Sequence, residues 1–106
     1  MRVLLDACVP RGLRKHLVGH DVGHAPEMGW GDLNNGDLLD AMAGRFEVLV
    51  TTDKGIPAQQ RIGGRSLGII VLRARTNRLQ DLLPLVPKLL ASLIDLEPRT
   101  VSEIAS

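Results

Sequence analysis

Two apolar runs, Val3-Leu4-Leu5-Asp6 near the start of the chain and Val48-Leu49-Val50-Thr51-Thr52-Asp53 in its middle, both end on an aspartate. Short runs rich in branched aliphatic residues are typical of strands that are buried on both faces of a parallel sheet. In open α/β sheets, ligands bind outside the carboxyl ends of the strands. The two runs therefore predict a sheet edge at which Asp6 and Asp53 lie close together.

Two neighbouring carboxylates favour a divalent metal, because like charges oppose each other's ionisation unless a cation or a shared proton relieves them. Mg²⁺ and Mn²⁺ take oxygen ligands and keep several waters, one of which a phosphodiester oxygen can replace. Asp37, in the first turn of a predicted helix, is the third candidate. The alternative is that Asp6 and Asp53 cap helices and that Asp37 complements a helix dipole.

Composition indicates one globular domain over residues 1–106, with hydrophobic residues at 44% and a formal net charge of +1. The charge is too weak to indicate nucleic-acid binding by itself, although most of the cations are arginines, which suit bidentate phosphate contacts. A single cysteine, Cys8, fits a reducing compartment. We find no signal-like segment and no apolar span of membrane length, so we expect a cytoplasmic protein without membrane contact.

Predicted strands and helices alternate along the chain. Further strands are predicted over 20–24, 47–51 and 69–72, with an edge strand over 100–104. Helices are predicted over 10–17, over 37–43 with Asn34 or Asn35 as the cap, and over 79–93 after Asn77 as the cap. Pro84 and Pro87 predict a kink or a helix that starts near Pro84. A loop is expected over 25–36 and one helical turn near 58–61. This order predicts an α/β fold with a mostly parallel sheet of four to five strands.

Several other side chains leave two interpretations open. Arg11, Arg14 and Lys15 share a helix face that either binds phosphate or simply faces water, and the second is favoured. Trp30 either stacks on a base or anchors its loop, and we favour the anchor. His20 and His24 do not form a known zinc pattern with other residues.

One set of motifs resembles a known family. The motifs are Val3-Leu4-Leu5-Asp6 with Cys8-Val9-Pro10, Gly19-His20-Asp21-Val22, Glu27-Met28-Gly29-Trp30, Asn35-Gly36-Asp37-Leu38-Leu39, Leu49-Val50-Thr51-Thr52-Asp53-Lys54, Val71-Leu72-Arg73-Ala74 and Asn77-Arg78-Leu79. With them, nearly the whole chain resembles the small bacterial PIN-like domain family. The resemblance implies a three-layer α/β/α Rossmann-like fold and a metal-dependent endoribonuclease that hydrolyses RNA phosphodiester bonds.

The same resemblance implies which residues act. The acidic positions of the family fall on Asp6, Asp37 and Asp53, which we expect to be catalytic and to hold Mg²⁺ or Mn²⁺. The expected substrate contacts are Arg73, Arg78, Thr52, Lys54 and Arg11. Many members of the family are toxins, so the expected partners are RNA and a small antitoxin protein, with a homodimer as a further option.

Two departures from the family pattern keep an alternative open. Many members carry Glu directly after the first Asp, where this chain has Ala7, and larger members carry a fourth acidic residue near the position of Arg73. The alternative function is a catalytically degenerate module that binds RNA or a protein partner.

Overall fold

The computed structural model describes residues 1–53, 67–96 and 100–105. Within these ranges the strands are β1 (Arg2–Leu5), β2 (Asp21–His24), β3 (Val48–Thr51), β4 (Gly68–Arg73) and β5 (Val101–Ala105). The α-helices are α1 (Asn35–Met42), α2 (Leu79–Leu82) and α3 (Val86–Ile94), and 3₁₀ helices cover Arg11–His16, Ala25–Met28 and Leu83–Leu85. The predicted α/β class is confirmed.

All described strands are parallel and lie in the order β2-β1-β3-β4-β5. The chain therefore moves to one side of β1 to form β2 and then crosses to the other side to form β3. Loops that leave the sheet at such a reversal diverge to opposite faces, and the crevice between them is where open α/β sheets bind ligands. In this chain the crevice lies between β1 and β3, the strands that precede Asp6 and Asp53.

Two hydrophobic clusters occupy the two faces of the sheet, because side chains alternate along each strand. On the first face, Leu5 and Val50 pack with the first 3₁₀ helix, α2 and α3. On the second face, Leu4 and Leu49 pack with α1. Helices thus cover both faces, which explains why the central strands are apolar throughout, and the arrangement is compatible with the Rossmann-like expectation.

Helix boundaries differ from the predicted ones in three places. The helix predicted over 10–17 is a 3₁₀ helix, Arg11–His16. The loop predicted over 25–36 contains the 3₁₀ helix Ala25–Met28, which begins at a proline-bearing turn and ends at Gly29 with a φ of +80°. Helix α1 begins at Asn35, two residues before the predicted start, because the side chain of Asn34 accepts the N–H of Asp37.

The leucine-rich segment forms two helices with a turn between them. This agrees with the prediction of a helix that starts near Pro84. Helix α2 ends at Leu82, a 3₁₀ turn carries Pro84, and α3 begins at Val86 with Pro87 in its first turn. Proline lacks an N–H and fits the first turn of a helix, where that N–H has no partner inside the helix. Asn77 is not the cap of α2, since Arg78 occupies the N-cap position and makes no side-chain capping bond.

Strand β5 is confirmed as an edge strand and pairs parallel to β4, with Val101 opposite Ile69. The helical turn predicted near 58–61 lies outside the described residues. No helix in the described part of the chain has both the length and the apolar character needed to cross a membrane.

Candidate functional site

Asp6 lies at the carboxyl end of β1, beside β3. Its backbone N–H donates to the carbonyl of Val50 at 2.9 Å, which extends the pairing of the two strands by one residue. The N–H of Val9 then donates to the carbonyl of Asp6 at 2.9 Å and turns the chain toward the first 3₁₀ helix. Strand pairing and this turn therefore fix the backbone of Asp6 at the predicted sheet edge.

Thr51 connects the two strand-end aspartates. Its side chain is fully buried, and its hydroxyl donates to Oδ2 of Asp6 at 2.8 Å. The same Oγ1 accepts the backbone N–H of Asp53 at 3.0 Å. One hydroxyl thus orients the carboxylate of Asp6 and the turn that carries Asp53, which places both aspartates at the crevice between β1 and β3.

Helix α1 approaches the same edge through its first turn. The side-chain amide of Asn35 donates to Oδ2 of Asp53 at 3.4 Å, so the N-terminus of α1 lies beside the turn after β3. Asp37 lies in the same helical turn with an exposed side chain. The start of α1 therefore places Asp37 at the same edge of the sheet as Asp6 and Asp53.

The donor chemistry of the site suits a hard cation. Asp6 already accepts the N–H of Ala7 at 2.8 Å and the hydroxyl of Thr51, but a carboxylate has about four lone-pair positions. Mg²⁺ is commonly held by one or two carboxylates together with waters and substrate phosphates. Among the described residues there is no group of three or more His, Cys, Asp or Glu side chains arranged to hold a metal. The fit therefore rests on the pair Asp6 and Asp53.

Two of the predicted substrate contacts, Thr52 and Arg73, lie at the carboxyl ends of β3 and β4. Thr52 is half-buried between Thr51 and Asp53 in the turn after β3, and Lys54 lies outside the described residues. Arg73, the last residue of β4, donates to Oε2 of Glu103 on β5 at 3.2 Å. Its guanidinium is thus engaged by the neighbouring strand on the side away from Asp6.

The remaining two predicted contacts lie on the first face of the sheet. Arg78 is exposed at the start of α2, where its N–H donates to the hydroxyl of Thr76 at 3.0 Å. Arg11 begins the first 3₁₀ helix and lies 3.4 Å from a carboxylate oxygen of Glu27, although 71% of its side chain is exposed. Arg14 binds the other oxygen of Glu27 at 2.7 Å. These contacts, above all the hydrogen bond from Arg14, hold the pKa of Glu27 below its ordinary value of 4.5.

Three other residues acquire structural explanations. His24 is buried, and its Nε2 lies 2.9 Å from the carbonyl of Val9, which requires a proton on Nε2 because a carbonyl only accepts. Trp30 packs edge-to-face on Phe46 and lies under the guanidinium of Arg45, in accord with the loop-anchor interpretation. The thiol of Cys8 lies 3.6 Å from Oδ2 of Asp6 and 3.5 Å from the hydroxyl of Thr51.

Sequence reasoning missed two residues that organise this edge. The sequence pattern predicts Thr51 only as part of a strand and Asn35 only as a possible helix cap. A usable signal for Thr51 was present, because a hydroxyl at the last position of an otherwise apolar buried strand must find a hydrogen-bond partner. For Asn35 no such signal exists, since its partner depends on where α1 packs.

A search against models of protein families found no match for this chain, and comparisons with curated proteins and with solved structures found none either.

Proposed function

We propose that this chain is a Mg²⁺- or Mn²⁺-dependent endoribonuclease of the small bacterial PIN-like type. The observation that supports this most strongly is the pair of carboxylates, Asp6 and Asp53, which one buried hydroxyl connects across the crevice between β1 and β3. The sequence resemblance independently assigns acidic functional positions to these two residues and to Asp37.

Asp6 and Asp53 are the proposed metal ligands, and Asp37 approaches from α1. When bound, a divalent metal polarises a phosphodiester, lowers the pKa of an attacking water and stabilises the leaving oxygen. The chain's own residues orient the two carboxylates. Thr51 and the N–H of Ala7 each hold one oxygen of Asp6, so a ligand would take a remaining lone pair of that carboxylate, and Asn35 holds one oxygen of Asp53.

Arg11, Thr52, Lys54, Arg73 and Arg78 are the proposed substrate contacts. Arg73 has to exchange its pairing with Glu103 in order to bind phosphate, a small cost because the side chains are 46% and 55% exposed. The proposed biological setting is a toxin paired with a small antitoxin in the cytoplasm, and a homodimer is compatible with it. This setting rests on the sequence resemblance alone.

A non-catalytic PIN-like module that binds RNA or a protein is the second candidate. Two features favour it: Ala7 stands where many members have Glu, and the described residues contain no group of three metal-ligating side chains. On this alternative, Asp6 and Asp53 serve to order the turns at the sheet edge.

Titration calorimetry with Mn²⁺, followed by an RNA cleavage assay with and without a chelator, separates the two functions. The ribonuclease is expected to bind Mn²⁺ with measurable heat and to cleave single-stranded RNA only when metal is present. Absence of both binding heat and metal-dependent cleavage, in protein shown to be folded by circular dichroism, would exclude the enzyme and favour the module.

A further inference from the structure

Strand β5 forms one edge of the described sheet and pairs only with β4. The N–H of Ile69 donates to the carbonyl of Thr100, while Ile69 lies opposite Val101 in the register. In a parallel pair of this register, alternate residues of β5 direct their backbone groups toward β4, and Val101, Glu103 and Ala105 direct theirs outward. Within the described residues, the carbonyl of Ala105 is the only one of these outward groups with a hydrogen-bond partner. Such an edge is a template for another strand.

The side of α3 that lies beside β5 has opposite charges at its two ends. Lys88, in the first turn of α3, donates to the carbonyl of Ala105 at the carboxyl end of β5, at 2.8 Å. Asp95 directly follows α3 and lines, together with Thr100, a groove of about 450 Å³ between α3 and β5. The helix therefore runs antiparallel to the strand, with an exposed cation at one end and an exposed anion at the other.

Between these charges, the same side of α3 carries small side chains. Ala91 is exposed, Ser92 is half-buried, and both line the groove. Lys88, Ala91 and Asp95 follow one another at spacings of three and four residues, so they lie on one side of the helix. Small side chains there allow a second helix to pack at close range.

This surface is complementary to a second copy of itself. A two-fold axis perpendicular to the sheet at the edge of β5 makes two β5 strands antiparallel and sets two α3 helices side by side in opposite directions. Lys88 of each copy then lies opposite Asp95 of the other. A strand from an unrelated protein would need its own matching charges, whereas a second copy of this chain already has them.

The strand pairing brings one pair of like charges together, and the fold already provides for it. With the axis at Glu103, the two Glu103 side chains are cross-strand neighbours, which is unfavourable for carboxylates. Each Glu103 also lies 3.2 Å from the guanidinium of Arg73 in its own chain, which offsets the repulsion. Val101 then pairs with Ala105 of the second copy, and Lys88 releases the carbonyl of Ala105 when it binds Asp95 of that copy.

We propose that the chain forms a two-fold symmetric dimer through the edges of β5 and the adjoining sides of α3, so that one sheet continues through both copies. The proposal goes beyond the proposed function and does not depend on it. The crevice between β1 and β3 stays open in this dimer, because β4 separates β3 from β5.

Sedimentation equilibrium over a range of protein concentrations tests the dimer. The wild type is expected to show a monomer–dimer equilibrium. Lys88→Glu and Asp95→Lys are each expected to raise the dissociation constant about tenfold or more, because each puts like charges at both symmetry-related contacts. An equimolar mixture of the two variants is expected to dimerise like the wild type, since each variant then meets the opposite charge on the other.

Two controls separate this interface from other causes. Glu103→Pro removes an outward N–H without removing a hydrogen bond to β4, so it is expected to give a folded monomer. Glu103→Gln keeps that N–H and is expected to dimerise at least as well as the wild type. Ile94→Ser changes a side chain that is 80% exposed on a different side of α3, and it is expected to leave the dimer unchanged. Circular dichroism establishes that each variant is folded.

Three results would overturn the inference. A wild type that remains monomeric up to its solubility limit would leave the edge of β5 to a strand from a different protein. Failure of the mixed charge variants to dimerise would show that Lys88 and Asp95 do not meet across the interface. Dissociation by Ile94→Ser, with Glu103→Pro still dimeric, would place the interface on another surface.

Discussion

At the scale of single residues, the hydroxyl of Thr51 has the most consequence. It is fully buried, it donates a hydrogen bond to the carboxylate of Asp6, and it accepts one from the backbone N–H of Asp53. A hydrogen bond to a charged group contributes more to folding stability than one between neutral groups. A buried polar group that loses its partner lowers the stability further. The relative positions of Asp6 and Asp53 therefore depend on an uncharged residue.

Thr51→Val tests this dependence, because valine keeps the shape of threonine but lacks the hydroxyl. It leaves Oδ2 of Asp6 and the N–H of Asp53 without this partner, so the free energy of unfolding is expected to fall by about 1–3 kcal/mol. Urea denaturation measures the change, and Mn²⁺ affinity is expected to fall with it. Thr51→Ser, which keeps the hydroxyl, is the control and is expected to retain metal binding. Equal loss of metal binding in both variants would show that Thr51 acts through packing alone.

Glu27 makes stability depend on pH. The hydrogen bond from Arg14 lowers its pKa below 4.5 in the folded chain, so the folded state favours the ionised carboxylate. The resulting stabilisation is present above about pH 4.5 and is lost as the pH falls through the lowered pKa. Wild type is therefore expected to exceed Glu27→Gln in urea midpoint at neutral pH, and this difference is expected to shrink in acid. A difference that stays constant across this range would mean that the pairing does not cause it.

At the scale of secondary-structure elements, two neighbouring asparagines at the start of α1 have different roles. Asn34 caps the helix by accepting the N–H of Asp37 at 2.8 Å, whereas Asn35 contacts Asp53. The sequence predicts a cap at one of the two but offers no means of choosing between them. The choice depends on the position of Asp53, which is 18 residues further along the chain than Asn35.

Asn34→Ala is expected to lower the free energy of unfolding by about 1 kcal/mol, because it removes a helix cap. Asn35→Ala is expected to cost less, because alanine is favourable inside a helix and the lost hydrogen bond is a 3.4 Å contact at the surface. Chemical denaturation of both variants compares them. A larger loss in Asn35→Ala would indicate that its contact with Asp53 contributes more to the fold than the cap does.

Some elements could be predicted and others could not, for identifiable physical reasons. The strands before Asp6 and Asp53 were predicted correctly because burial on both faces leaves an uninterrupted apolar run. The 3₁₀ helix Ala25–Met28 was missed because Pro26 and Gly29 are equally typical of a loop. The hydrogen-bond partner of Thr51 could not be predicted, because Asp6 precedes it by 45 residues and no local sequence pattern indicates a contact over that separation.

At the scale of the whole molecule, the strand order brings the site together. Placing β1 between β2 and β3 makes Asp6 and Asp53 neighbours, and it also places the N-terminus of α1 at the same edge. Alternation of strands and helices predicts a mainly parallel sheet but does not fix which strands are adjacent. The sequence therefore identifies the two aspartates as candidate site residues. That they follow adjacent strands is known only from the three-dimensional structure.

The measurement that tests the account most directly is the rate of Mg²⁺- or Mn²⁺-dependent RNA cleavage by wild type, Asp6→Asn and Asp53→Asn. Asp21→Asn is the control, because Asp21 begins β2 at the opposite edge of the sheet. Metal catalysis supplies several kcal/mol of transition-state stabilisation, so both site variants are expected to lose about a hundredfold or more in rate while remaining folded. Asp21→Asn is expected to cleave like wild type. Cleavage at the wild-type rate by Asp6→Asn and Asp53→Asn would contradict the account.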